Sequence, residues 1–220
     1  MTDKAFPCNS EQLRLPGPAG VIEAQTSCPD PARAVAATAV VLHPHTLHGG
    51  TMQNKVVHTL ARTFNELGLR TVRFNFRGAG GSEGEYDHGT GETHDALAVL
   101  EWVRAHRPHD QLWLAGFSFG SYVALRVANA FPVGRLVTVA PPVHMYDFDV
   151  LAPPHCPWLV IQGDQDEIVP AEQVTTWAQR LNPAPELRVL PGVGHFFHQR
   201  LHDLRAVLTE SLAPTLPAVP

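Results

Sequence analysis

Cysteine is scarce in this chain of 220 residues. Cys8, Cys28 and Cys156 are odd in number and widely spaced. They supply neither a disulfide framework nor a C-x-x-C metal pair, so each is expected as a small half-buried thiol, and the chain as a resident of a reducing cytoplasm. Long apolar runs are missing too. Nothing approaches the ~18–20 residues of a membrane span. The first residues, Met1-Thr2-Asp3-Lys4-Ala5-Phe6-Pro7-Cys8, lack the basic region and apolar core of a secretory signal. Positive charge is not in excess. The net charge of −5 gives no attraction for nucleic acid or an anionic membrane surface. There is no internal repeat, long linker or shift in composition, so a single domain is expected over residues 1–220. Its last stretch, 213–220, holds three prolines and is expected to be a loose tail.

What is present is a globular composition, 44% hydrophobic and 17% charged, in a length that buries a large core. Residues 10–27, broken at Pro16-Gly17-Pro18-Ala19-Gly20, predict an N-terminal hairpin. Strands follow at 36–42, 69–76, 112–115, 136–140, 158–162 and 187–190. Helical spacing marks Met52, Val56, Val57, Leu60, Ala61 and Phe64, and again Ala96, Val99, Leu100 and Val103. It returns at Val174, Trp177, Ala178 and Leu181 after Pro170, and at Leu201, Leu204, Val207, Leu208 and Leu212. Five of these strands alternate with helices after the hairpin, which implies an α/β fold, its mostly parallel sheet wrapped by helices.

The chemistry centres on Gly116-Phe117-Ser118-Phe119-Gly120. An apolar strand runs into this G-x-S-x-G turn and a helical pattern leaves it, the context of a nucleophile elbow. The turn is so tight that its outer positions must be small, with glycine the least costly, and the serine hydroxyl is lifted clear of strand and helix. The amide of Phe119 is left at a helix N-terminus, where developing negative charge is favoured.

A serine needs a histidine to take its proton and a carboxylate to orient that histidine. On such a sheet the order is serine, acid, histidine, each in a loop at the C-terminal edge. After the strand ending at Gln162 come Asp164 and Asp166. After the strand ending at Leu190 comes His195. The first strand of the parallel set leads into His43-Pro44-His45-Thr46-Leu47-His48-Gly49-Gly50. That loop must supply the second amide of an oxyanion hole. His45 is favoured, with Thr46 and Leu47 open.

These pieces, together with Asn75-Phe76-Arg77-Gly78-Ala79-Gly80-Gly81-Ser82 and Gly194-His195, lie in order along nearly the whole chain. The chain resembles the α/β-hydrolases, and more narrowly small lidless bacterial serine hydrolases similar to dienelactone hydrolases. The resemblance implies an α/β-hydrolase fold with no lid domain, Ser118 as nucleophile and His195 as base. It implies Asp166 rather than Asp164 as the acid, because such families place it three residues after the loop glycine, here Gly163. One departure is His43-Pro44-His45, where many relatives carry His-Gly.

Two other readings of these residues fail. His43 and His45 form a His-x-His pair that zinc could use, but no third ligand stands at a matching loop position, so no metal is expected. The stretch Gly78-Ala79-Gly80-Gly81-Ser82-Glu83-Gly84 departs from G-x-G-x-x-G at Glu83, and its acidic side chain repels phosphate. No cofactor is expected. By loop position the substrate walls are Leu47, Phe119, Met145, Tyr146, Phe148 and Phe196. Residues 141–157, interrupted by Pro141, Pro142, Pro153, Pro154 and Pro157, leave room for a short helix around 143–151 but not for a cap. The expected activity is hydrolysis of small carboxylic esters through an acyl-enzyme, with thioesters and small amides open to the same machinery. The competing class is a catalytically silent member that binds a ligand or a protein.

Overall fold

The computed structural model describes residues 5–10 and 12–217. The first four residues, and 218–220 of the proposed tail, lie outside them. Eight strands form one sheet: β1 (Leu13–Gly17), β2 (Gly20–Ser27), β3 (Ala37–Leu42), β4 (Arg70–Phe74), β5 (Gln111–Phe117), β6 (Arg135–Val139), β7 (Trp158–Gly163) and β8 (Glu186–Leu190). Their order is β1-β2-β4-β3-β5-β6-β7-β8. The β1–β2 hairpin is antiparallel and joins β4 antiparallel, while β4, β3, β5, β6, β7 and β8 run parallel. Among the described residues, five α-helices accompany them: α1 (Lys55–Glu66), α2 (Thr90–His106), α3 (Phe119–Ala130), α4 (Ala171–Arg180) and α5 (Leu201–Leu212). Each of β3, β4, β5, β7 and β8 is followed by one of them, whereas β6 runs into Pro141 and Pro142.

The alternation of side chains along a strand sorts the core into two layers. Val40, Leu42, Leu114, Leu136 and Val160 face the layer packed by α2, α3 and α4. Ala39, Val41, Trp113, Val137 and Leu159 face the layer packed by α1 and α5. The central strands are therefore apolar at nearly every position, as a sheet covered on both faces requires. Helix α1 shows the local logic. Asn54 caps it by accepting the amides of Val56 and Val57, and Val56, Val57, Leu60, Ala61 and Phe64 turn inward.

Chain order reverses between β3 and β5. From β3 the chain crosses to β4 on one side, then returns to β5 on the other. The loops leaving their C-terminal ends diverge, and a crevice opens there.

The structure corrects the sequence in three places. Cys8 and Cys28 are joined, their Cα atoms 5.3 Å apart. The segment before β1 runs beside the end of β2, with the Thr26 amide bonded to the Ser10 carbonyl at 2.9 Å. Hairpin register thus brings together cysteines 20 residues apart, within bridging distance. Cys156 alone stays free. A reducing compartment, inferred from unpaired thiols, loses its ground. Next, residues 143–151 make turns and no helix, with the Met145 amide closing on the Pro142 carbonyl. Last, the tail is not loose throughout: Ala213–Thr215 continues α5 as a 3-10 turn, and Leu216 packs on the α1–α5 layer.

Candidate active site

Three loops at the C-terminal edge of the sheet meet over this crevice. The first is the β5–α3 turn. Ser118 has φ +54° and ψ −120°, a region that costs a side-chain-bearing residue energy. The glycines around it are sterically required. A Cβ on Gly116 would stand 2.1 Å from the Gly120 carbonyl oxygen, and one on Gly120 would stand 2.5 Å from that of Leu42. The strain is held by the surroundings. The Ser118 amide donates to the Val139 carbonyl at 2.8 Å, and the buried Ser121 hydroxyl lies 2.8 Å from the Gly116 carbonyl and 2.9 Å from that of Val139.

The second and third loops follow β7 and β8. His195 Nε2 lies 3.1 Å from Ser118 Oγ, and its Nδ1 lies 2.8 Å from Asp166 Oδ2. A carboxylate accepts, so Nδ1 carries the proton and Nε2 is left to receive the hydroxyl hydrogen of Ser118. Both His195 and Asp166 are buried. Asp166 is well supplied with donors: the amides of Ile168 and Val169 reach Oδ1 at 2.9 and 2.7 Å, and Gln162 Nε2 reaches Oδ2 at 3.1 Å. Burial alone would push this carboxyl up, but the His195 hydrogen bond and the Val169 and Ile168 amides outweigh it and hold it below its ordinary value. Asp164 faces elsewhere and accepts the Gly192 amide at 2.6 Å. It ties the two loops together without touching the imidazole. Glu167 does the same, accepting the His195 amide at 3.1 Å.

A cavity of about 400 Å³ opens over Ser118 and His195. Phe119, Met145, Tyr146 and Phe196 line it, as does His45. Two expected walls do not. Leu47 lies within the 3-10 turn Thr46–His48, which swings its side chain outward beside Tyr86 and His88. Phe148 is fully buried beneath the cavity, packed on Tyr122 and Trp177. Their places are taken by Pro44, Gly49, Gly50, Asn54, Pro142 and Ile168, which sequence position did not single out. Among the described residues, no Lys, Arg, Asp or Glu side chain lines the cavity.

The loop after β3 is built on its histidines. His43 is fully buried; its Nδ1 lies 2.6 Å from the Pro44 carbonyl, and its Nε2 accepts the Phe76 amide at 2.9 Å. Both bonds are satisfied only by the neutral ring with the proton on Nδ1. Burial lowers its pKa to about 4. His45 caps the 3-10 turn, its Nδ1 accepting the Leu47 amide at 3.2 Å. That bond engages the amide of Leu47, and Thr46 lines the neighbouring hollow with it rather than this cavity. Among the hydrogen bonds of the described residues, none engages the amides of Phe119 or His45. The His45 ring is stacked on His48 at 4.4 Å and lies against Tyr86 and Phe119. Burial, then the neighbouring His48 and His88, lower its pKa. His48 is exposed. Among the described residues, no group of three or more His, Cys, Asp or Glu side chains is placed to hold a metal ion.

A sequence model of the α/β hydrolase fold matches residues 40–155, more than half of the chain. The chain belongs to the α/β hydrolases. Among solved α/β hydrolases it is similar to a serine hydrolase without lid from Xanthomonas campestris, at 48% identity and a TM-score of 0.94, covering 99% of this chain and 100% of that one. An α/β serine hydrolase homologue from Coxiella burnetii is 47% identical with a TM-score of 0.92, covering 94% and 100%. An uncharacterised protein of Rickettsia prowazekii is 36% identical over 214 residues, which are 91% of this chain and 88% of its own. Like the Xanthomonas protein, this α/β hydrolase has no lid: after β6 it spends residues 141–157 on turns. Among its described residues no helix is long and apolar enough to cross a membrane.

Proposed function

We propose that this chain is a serine esterase acting on small, uncharged carboxylic esters through an acyl-enzyme. Ser118 Oγ attacks the ester carbonyl while His195 Nε2 takes its proton. The carbonyl oxygen becomes an oxyanion held by the amides of Phe119 and His45. Collapse of the tetrahedral intermediate expels the alcohol, which leaves with the proton from His195. Water then attacks the acyl group on Ser118, again through His195, and the carboxylic acid is released. Asp166 keeps the imidazole in the Nδ1–H tautomer and stabilises the imidazolium while it exists.

The observation that carries the proposal is the unbroken hydrogen-bonded series from Asp166 through His195 to Ser118, ending at the floor of an uncharged cavity. A silent binding protein has no use for a serine held at a strained φ within hydrogen-bonding distance of an imidazole. The cavity's lack of charge favours neutral esters over substrates that carry an acid or an amine near the scissile bond.

A fluorophosphonate probe separates the two classes. The wild-type protein is expected to take one equivalent on Ser118, identified by peptide mass, and to lose turnover of a short activated ester in proportion. Ser118→Ala should remain folded, escape labelling and turn over the ester on the order of 10⁴–10⁶ more slowly. An unlabelled wild type, or a clean Ser118→Ala preparation as active as wild type, overturns the assignment.

A further inference from the structure

The larger cavity of the molecule lies far from Ser118. It measures about 800 Å³ and is walled by the first residues of three neighbouring parallel strands: Arg135 of β6, Trp158 of β7 and Glu186 of β8. The proline-rich segments 153–157 and 183–185 close its sides. Ser118, Asp166 and His195 all follow C-terminal strand ends, so this cavity sits a strand length away, roughly 17–20 Å, on the opposite edge of the sheet.

Arg135 is the unusual group in it. The residue is 7% exposed, yet among the described residues its guanidinium has neither an ion-pair partner nor a hydrogen bond. Two less buried arginines do have partners: Arg77 is bonded to Asp95 and Arg73 to Gln25 and the Met52 carbonyl. Glu186 is the nearby acid, but its carboxylate accepts from Arg188 and from the Ser211 hydroxyl at 2.9 Å each. One side of the Arg135 guanidinium is supported by the Trp113 ring, 5.3 Å from its centroid. An arginine offers five donors in a flat fork that fits a carboxylate. None of the Arg135 nitrogens is sealed from solvent, so the unpaired fork stays open to a ligand that enters the cavity. Burial also pulls its pKa below the ordinary value, against the weaker pull of Glu186 and Cys156.

We propose that this second cavity binds a small organic carboxylate, its head group taken by Arg135 and its apolar body laid against Trp158 and the prolines. The charge of the head group is set by the guanidinium, and the apolar body by the walls. Asn182 lines the same cavity. The site is independent of Ser118 and uses none of the residues of the esterase proposal.

Cys156 supplies the readout. Its free thiol is half-buried in the same cavity, and burial raises its pKa. A ligand seated on Arg135 shields it. Iodoacetamide modification of Cys156, followed by peptide mass in the folded protein, should slow several-fold and saturably with benzoate or hexanoate, with a Kd of about 1 mM or tighter. Benzamide, which has the body without the charge, should give no protection. Inorganic phosphate, which has charge without the body, should protect less than benzoate. In Arg135→Met, which keeps the apolar stem, benzoate should leave the rate unchanged. If that variant does not fold, Arg135→Lys answers instead, with protection weakened several-fold because the fork is lost. Equal protection by benzamide, unchanged protection in either variant, or no protection by either carboxylate overturns the proposal. Protection by phosphate as strong as by benzoate overturns the part played by the apolar walls.

Discussion

Asp166 and Asp164 stand two residues apart in one loop, and the structure gives them different work. Asp166 meets the imidazole at 2.8 Å, while the Asp164 carboxylate accepts the Gly192 amide at 2.6 Å. Asp166→Asn should therefore lower turnover of an activated ester by about 10³–10⁴, because an amide oxygen or nitrogen at that position no longer fixes the tautomer of His195. Asp164→Asn keeps an acceptor for the Gly192 amide and should change turnover less than about tenfold. Steady-state rates of the two purified variants check this, and a folded Asp164→Asn that is the weaker enzyme would reverse the roles. Gln162 belongs to the same unit. Its amide supports the Asp166 oxygen that also receives His195, so Gln162→Leu should slow turnover by about tenfold, the loss of one buried donor to a charged group. That Ser118, an aspartate of the 163–167 loop and His195 would meet at one sheet edge was legible, because each follows a strand end closely; the preference for Asp166 over Asp164 rested on the family resemblance. Leu47, Phe148 and Gln162 were not legible in the same way. In a loop the direction of a side chain depends on turn geometry, and the support of one side chain by another depends on contacts between separate loops.

The strands and helices were readable because a two-sided sheet writes apolar runs and its helices write a 3.6-residue period. The end of β4 was not. It stops at Phe74 rather than Phe76, since the Phe76 amide leaves the ladder to reach His43. That bond ties β4 to the loop after β3 and makes the fold sensitive to acid. His43 folds as a neutral ring with a pKa near 4, against 6.5 when exposed. Between those values the unfolded chain binds a proton that the folded one does not. Stability from this group is complete above about pH 6.5 and is lost as pH falls toward 4, by on the order of 3 kcal/mol in all. Urea unfolding at a series of pH values should show this decline in the wild type and a shallower one in His43→Gln. Equal slopes in the two proteins would show that His43 does not titrate with unfolding.

At the scale of the whole molecule, the absence of a lid decides access. The cavity over Ser118 is small, and Met145 and Phe196 on its rim are 54% and 38% exposed. A long acyl chain would run past these walls into water and gain little from its extra methylenes. Activity against a series of p-nitrophenyl esters should peak at short acyl chains, and the rate should rise smoothly as a sparingly soluble ester passes its solubility limit. A jump in rate at that limit, or a maximum at long chains, would mean that some part of the chain closes over the site. The shape of the molecule was legible in the sequence wherever it followed from alternation of strand and helix, and the shortness of 141–157 excluded a cap. The join between Cys8 and Cys28 was not legible, because it depends on how the hairpin's register brings its two ends together.

That join changes what a protease can do. It encloses β1, β2 and the exposed turn between them. Cutting a single peptide bond anywhere between Cys8 and Cys28 severs the backbone without releasing a fragment. The nicked protein should run as one band on a denaturing gel without reductant and as two once thiol is added. The edge strand stays leashed to the sheet and is free to pair again with β2. Damage at this corner of the molecule would be invisible to gel filtration and to ester turnover alike, and would surface only when the bridge is reduced.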